Sequence, residues 1–387
     1  MKILLVAHGV TDQSLLGGPG RVAAAQANAL TANGHQVTVV TTDVTAKGRR
    51  TPIPTFRLLD PPVVVRCIPG RTFGSWPGTI GPVFHPQSRK VLATAISEVD
   101  VVHCHEWPHM LVQQARSIAR AQGKLCIVQP HGSIQPRKGA KRLMHGLINR
   151  RYPPQPGDVF IAGSRQEELE IEAAMGPKVS VFRVVNPMSV PEADLSGSAA
   201  ASIRATWGFP DGVTVLLYAH RVFPNKGLDL LITALTSLPQ SVHLSVVGAI
   251  GDAGFAAECT RLTARLNLEE RVRFFGPVGP ADIDNVIAAG DIFVLPARRD
   301  TFPMMVLHAM ACARPVVVTE TCQSVELLRD AVAVAEPSPQ GLATQILPLL
   351  EPHARSLLGQ RGRELVRAEF GPSAVAKALE RLYAGAA

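Results

Sequence analysis

Short, nearly continuous apolar runs alternate with longer amphipathic stretches along most of the chain. KILLVAHG (2–9) predicts a first buried strand, RVAAAQANALTANG (21–34) a helix that Gly34 closes, and QVTVVTT (36–42) a second strand. Together they make a β-α-β unit. VDVVHCH (99–105), KLCIVQPHG (124–132) and VFIAGS (159–164) have the continuous apolar character of strands buried on both faces in a parallel sheet. Residues 1–185 therefore read as one doubly wound, Rossmann-like domain.

NPMSVPEADLSGSAAAS (186–202) has no period and is rich in Pro, Ser and small residues, which marks a linker. Beyond it the alternation restarts. VTVLLYAH (213–220), HLSVVGA (243–249), VRFFG (272–276), DIFVLPA (291–297) and PVVVT (315–319) predict strands. Helices are expected over GLDLLITALTSL (227–238), AAECTRLTARLNL (256–268), a short stretch before residue 291, and within TFPMMVLHAMACARP. Residues 203–365 thus form a second doubly wound domain, and 366–387 end in a helix. The class is α/β, and ligands of such sheets bind outside the carboxyl ends of the strands.

Composition changes this picture in two ways. With 46% hydrophobic and 18% charged residues the 387-residue chain is globular rather than disordered, and it is long enough for two cores. The start reads as a strand rather than a secretory leader, and no run approaches the roughly 20 apolar residues that span a bilayer. Cys67, Cys104, Cys126, Cys259, Cys312 and Cys322 show no paired spacing, so reduced thiols in a cytoplasmic protein are expected. The net charge of +8 is unevenly placed: residues 1–185 carry 22 basic against 11 acidic side chains, the remainder 17 against 20. An anionic ligand, acceptor or lipid surface is the expected partner of the first half.

Chemistry is sought at strand ends. Gly17, Gly18 and Gly20 open a helix, where free N–H groups and the dipole suit a phosphate; a turn needing positive φ is the alternative. Arg221 and Lys226, in AHRVFPNKGLDLL, are two cations after a strand that suit a leaving diphosphate, though a solvated basic turn would look the same. Asp282-Ile283-Asp284 matches a metal-binding Asp-x-Asp, but acidic residues in a helix's first turn are explained by capping and dipole, and no metal ligand is assigned. His103, Cys104, His105, Glu106 and His109 tempt a zinc assignment. Strand alternation sends Cys104 to the opposite face from His103 and His105, leaving a strand end that lines a binding site. In residues 137–152, Lys138, Lys141, Arg142 and His145 recur at helical spacing with Leu143, Leu147 and Ile148 on another side. That pattern fits either a solvated basic helix or one that meets anionic lipid or a phosphorylated acceptor. No aromatic platform accompanies the charge, which argues against nucleic acid.

GGPGRV, DVVHCHEW, PHGSIQPRKG, AHRVFPNKGLDLL, RVRFFGPV and DTFPMMVLHAMACARPVVV together resemble the retaining glycosyltransferases of family 4, the group 1 transferases of the two-domain GT-B fold. The resemblance covers nearly the whole chain. It implies two Rossmann-like domains facing across a cleft, with the last helix crossing back to the first domain. It also implies a sugar moved from a nucleotide donor to a hydroxyl acceptor without a metal or resident cofactor, in glycan, glycolipid or glycosylated-metabolite assembly. Arg221 and Lys226 would hold the donor's diphosphate, Gly17 and Gly18 would approach it, and Val278 would meet the base. His131 would sit beside the reacting sugar, and Asp300 with Phe302, Pro303, Met304 and Met305 would hold that sugar. His103, Arg137 and Lys138 would face an acceptor, lipid-linked in one version, with the enzyme peripheral on the inner membrane face.

One departure stands out. Family members carry Glu-x7-Glu where this chain has Asp300-x7-His308, and the second glutamate binds both ribose hydroxyls. Neutral imidazole offers one acceptor and one donor on opposite sides and cannot replace that bidentate contact. Either the donor carries a deoxyribose, as in a thymidine diphosphate sugar, or His308 packs on Met304. The alternative at the level of function is a catalytically impaired homologue acting as a nucleotide-binding or partner subunit. A sugar-nucleotide epimerase fits the motifs around Arg221 and Asp300 less well.

Overall fold

The computed structural model describes residues 1–10, 18–43, 55–56, 59–60, 62–72, 75–76, 79–80, 83–84, 87–134, 140–192, 197–279 and 282–386. The chain divides into two compact units: residues 1–187 with 372–387, and residues 188–371.

Unit 1 is built on a seven-stranded parallel sheet. Its strands are β1 (Lys2–Val6), β2 (Gln36–Thr42), β3 (Val64–Ile68), β4 (Val101–His105), β5 (Leu125–Gln129), β6 (Val159–Ala162) and β7 (Ser180–Arg183). They lie in the order β7-β6-β5-β4-β1-β2-β3. Two-residue antiparallel ladders join Arg71–Thr72 to Val83–Phe84 and Ser75–Trp76 to Thr79–Ile80. Helices α1 (Gly18–Ala32), α2 (Ser88–Ser97), α3 (Met110–Ala121), α4 (Ala140–Arg151) and α5 (Arg165–Met175) follow the strands. The period of two sorts the core: Ile3 and Leu5 join one apolar cluster, Leu4 and Val6 the other, on opposite faces of the sheet. Burying each such side chain contributes about 1.5–3 kcal/mol.

Unit 2 begins with α6 (Ser198–Thr206) and carries a six-stranded parallel sheet. Its strands are β8 (Thr214–Ala219), β9 (Val242–Val247), β10 (Val272–Phe275), β11 (Ile292–Leu295), β12 (Val316–Thr319) and β13 (Ala333–Ala335), in the order β10-β9-β8-β11-β12-β13. Interspersed are α7 (Leu228–Ala234), α8 (Ala253–Arg265), α9 (Ile283–Ala289), α10 (Met304–Ala311), α11 (Val325–Leu328), α12 (Pro339–Ile346) and α13 (Pro352–Leu365). The final helix, α14 (Pro372–Gly385), belongs to unit 1, where Val375, Ala376, Leu379 and Tyr383 join the Ile3–Leu5 cluster.

Two expectations change. Residues 198–202, expected in a linker, are the first residues of α6: Ser198-Ala-Ala-Ala-Ser202 lacks an apolar period, but alanine is the strongest helix former. The stretch before it is also tied into unit 2, Met188 N–H donating to Phe370 O at 2.7 Å and Arg363 to Pro191 O at 2.7 Å. Residues 366–371, expected with the final helix, stay in unit 2, and Val366–Phe370 form a π-helical turn.

Candidate functional site

In unit 2 the chemistry-bearing residues collect at the carboxyl ends of β8, β11 and β12. After β8 the chain makes a 3-10 turn, Pro224–Lys226, and then a left-handed residue, Gly227, at φ 67°. A Cβ there would lie 1.9 Å from Pro296 O, so only glycine lets this turn approach the end of β11. Arg298 locks the approach with two bonds to Asp229, at 2.8 and 2.6 Å, and one to Pro224 O at 3.0 Å. Asp300 is held from the far side, where Gln323 N–H donates to its carbonyl at 2.8 Å. Thr319 and Thr321 hydroxyls each donate to Ala297 O at 2.5 Å.

This clamp brings two expected residues together. The Lys226 ammonium pairs with the Asp300 carboxylate, and both side chains are largely buried. Arg221, two residues after β8, stays exposed. His220 lies under the turn, edge-on to Tyr218 and Phe293; burial first, then Lys226, holds its imidazole neutral, well below the ordinary histidine range. Phe302 approaches Phe370 at 6.4 Å, and Met304 N–H, expected to face a sugar, donates to Phe302 O at 3.1 Å. Pro303 is buried just before α10, and Met305 stands in its first turn. Val278, 38% exposed, follows β10.

His308 has a partner that neither expectation named. Its Nε2 lies 2.5 Å from Asp284 Oδ1, so the imidazole on α10 pairs with a carboxylate on α9. Asp282 occupies the N-cap position of α9 without a side-chain cap bond, and Asp284 stands in the first turn, where the helix dipole favours it as expected. The bond to His308 holds the Asp284 carboxyl below its ordinary range, against the opposing effect of partial burial.

In unit 1 five histidines gather at the carboxyl ends of β1, β4 and β5. His131, at φ 54°, follows Pro130 and precedes Gly132, and such a left-handed non-glycine residue costs about 1–3 kcal/mol unless its surroundings enforce it. The enforcement comes from Glu167, buried to 3% exposure, whose carboxylate accepts Gly132 N–H at 2.5 Å and Gly163 N–H at 2.8 Å. Burial raises the Glu167 carboxyl, while the two N–H bonds pull it back. His131 Nε2 is 2.9 Å from His105 Nδ1, and the rings are stacked 5.2 Å apart. His8 stacks on His109 at 4.4 Å. Burial pushes His103 and His131 down to about 3 and His109 to about 4.

Strand alternation sorts the cluster as expected: His103 and His105 stack at 4.7 Å while Cys104 enters the core on the other face. His103, expected on the acceptor side, lies inside unit 1. It is fully buried, with Nδ1 2.9 Å from Tyr383 Oη, because α14 covers that face of β4. Gly17, Arg137 and Lys138 lie outside the described residues. Gly18 starts α1 in open space, whereas a Cβ on Gly20 would lie 2.6 Å from Gly9 O. Gly20 is therefore the residue that lets α1 start against the end of β1.

Sequence reasoning missed Glu167, Arg298, Asp284 as a partner, and Tyr383. Only the Asp-x-Asp motif carried a signal, and its partner on another helix was not visible.

Comparison with known proteins adds the following. Residues 200–364 match the family model described as glycosyl transferases group 1, and residues 16–187 the one described as glycosyltransferase family 4. The chain is similar to D-inositol 3-phosphate glycosyltransferase 2 of Catenulispora acidiphila, 27% identical over 304 residues, 73% of this chain and 70% of that one. The corresponding protein of Kineococcus radiotolerans is 29% identical over 262 residues, covering 61% and 59%. Among solved structures, HepE of Anabaena in complex with UDP and glucose aligns over the full length of both chains, with TM-score 0.75 and 20% identity. A sucrose-phosphate synthase from Thermosynechococcus elongatus aligns over 99% and 98%, with TM-score 0.72 and 21% identity.

Proposed function

The chain belongs to the group 1, family 4 type glycosyltransferases, and on that premise we propose that it moves a sugar from a nucleoside diphosphate donor to a hydroxyl acceptor with retention at the anomeric carbon. The observation that carries this reading is the Lys226–Asp300 pair at the carboxyl ends of β8 and β11, with exposed Arg221 in the same loop as Lys226.

In the resting protein Lys226 and Asp300 neutralise each other. A bound donor separates them: its diphosphate takes Lys226 and Arg221, and its sugar hydroxyls take Asp300. The bond from anomeric carbon to phosphate oxygen breaks with its electron pair on the diphosphate, the acceptor oxygen bonds to that carbon from the same face, and the hydroxyl proton leaves with the diphosphate. Two cations stabilise the developing charge, so the transfer step calls for no metal. His131, held in its strained conformation by Glu167, is assigned to the reacting sugar by resemblance to the family.

The UDP and UDP-glucose complexes of Anabaena HepE make uridine diphosphate sugars the first donors to try, with thymidine and guanosine diphosphate sugars beside them. The D-inositol 3-phosphate relatives and the basic first half support a phosphorylated polyol acceptor. No helix among the described residues is long and apolar enough to cross a membrane. A peripheral version of the enzyme uses α4, whose Leu143 and Leu147 are 72% and 68% exposed. The test is incubation with a panel of nucleotide sugars, with and without inositol phosphate, reading released diphosphate and the glycosylated product. Product formation supports transfer. Nucleotide binding without turnover for any acceptor overturns it in favour of the binding-subunit reading.

A further inference from the structure

The His308–Asp284 pair has a third neighbour. Cys312, four residues after His308 and therefore on the same face of the helix end, brings its Sγ to 4.0 Å from Asp284 Oδ1. Among the described residues these three form the only group of His, Cys and acidic side chains whose ligand atoms all lie within 4.8 Å of one another. We propose that Asp284, His308 and Cys312 bind a divalent cation of the zinc class, joining α9 to α10.

The donor set suits that ion. Imidazole, thiolate and carboxylate are the three side-chain ligands zinc takes, at about 2.0–2.3 Å, which separates tetrahedral ligand atoms by roughly 3.3–3.7 Å. The separations of 2.5 Å for oxygen to nitrogen and 4.0 Å for sulfur to oxygen lie on either side of that range, and all three ligand atoms lie within 4.8 Å of one another, so side-chain adjustments on the order of 1 Å seat the ion. Cys312 enters as thiolate, its proton passing to solvent, and the two negative charges of Cys312 and Asp284 balance the cation. Arg314 and Arg363 favour the thiolate, while burial and Asp284 oppose it in the metal-free protein. Access is from the Asp284 side, which is 38% exposed against 22% for His308, and a water completes the fourth position.

The two helices follow the segments carrying Val278 and Asp300, so the ion ties together two stretches of unit 2 without entering the transfer step. The site stands or falls independently of the reaction. This also revises the reading of the sequence, in which Asp284 served only the helix start.

The experiment uses the full, untagged chain, stripped of metal and dialysed against Zn2+ or Co2+. One equivalent is expected to bind, the cobalt form showing thiolate-to-metal charge-transfer absorption and the zinc form melting at a higher temperature. Cys312→Ser abolishes the absorption and weakens binding at least about 10-fold, the scale already lost with outer-sphere partners. Asp284→Asn weakens binding while retaining the thiolate band. Failure of the wild type to bind a stoichiometric metal, or binding and absorption unaltered by Cys312→Ser, overturns the proposal. Circular dichroism on both variants separates lost ligation from lost fold.

Discussion

Lys226 and Asp300, 74 positions apart, meet as an ion pair because Gly227 lets the turn after β8 approach the end of β11 within the reach of a glycine alone. The pair is the resting state of the site that the proposed donor opens. Lys226→Ala is expected to weaken nucleoside diphosphate binding roughly 10- to 100-fold, the worth of a charged hydrogen bond of about 1.5–3 kcal/mol. Asp300→Asn should leave that affinity near the wild-type value and lower turnover. Calorimetric titration with UDP checks both, and unchanged affinity in Lys226→Ala removes the diphosphate assignment.

The left-handed Gly227 supplies its own test. Gly227→Ala drives a Cβ into Pro296 O and is expected to cost more than about 2 kcal/mol in denaturant unfolding. Gly18→Ala, whose Cβ meets nothing within 4 Å, should be neutral or slightly stabilising. Equal effects at the two positions would contradict the steric account.

Glu167 is predicted to position His131. Glu167→Ala leaves the buried Gly163 N–H unpaired, at about 1–3 kcal/mol, and removes the partner of the part-buried Gly132 N–H. Glu167→Gln keeps a carbonyl acceptor for one of them and should be milder. Both should lower kcat more than they raise donor KM, with the glutamine variant partly rescued; a loss of stability with kcat intact would leave Glu167 a purely structural residue.

The histidine cluster makes unit 1 acid-labile. An unfolded imidazole takes its proton near pH 6.5, whereas burial keeps His103 and His131 neutral to about 3 and His109 to about 4. Between those values the unfolded chain binds more protons, so stability falls as pH falls, by about 1.4 kcal/mol per pH unit for each histidine involved. Denaturant midpoints measured from pH 7 to 4 should drop steeply, and His103→Gln should flatten the drop. A level profile would refute it.

Exposed Leu143 and Leu147 predict sedimentation with vesicles of anionic lipid and not with neutral ones. Leu143→Ser with Leu147→Ser should abolish it. Equal recovery with both lipids, or none with either, ends the membrane version.

The local pattern determined most of the fold. Apolar runs such as QVTVVTT and VFIA become strands because parallel strands buried on both faces need continuous hydrophobicity, and Gly34 ends α1 where the period stops. Ser180–Arg183 and Ala333–Ala335 escaped notice because they are sheet-edge strands with exposed residues and little apolar contrast. Ser198–Thr206 escaped because an alanine-rich helix has propensity without a period.

The sequence picked out Lys226 from its place after a strand, and His131, Asp300 and His308 through the resemblance to the glycosyltransferase family. What those side chains touch was decided by tertiary structure. Hydrogen bonds and ion pairs reach only about 3 Å, and the partners lie 74, 26 and 24 positions away. A period read along one strand or helix contains no information about which neighbour another element will bring that close. Packing alone buried His103 under Tyr383, and packing alone turned His308 toward Asp284 and Cys312.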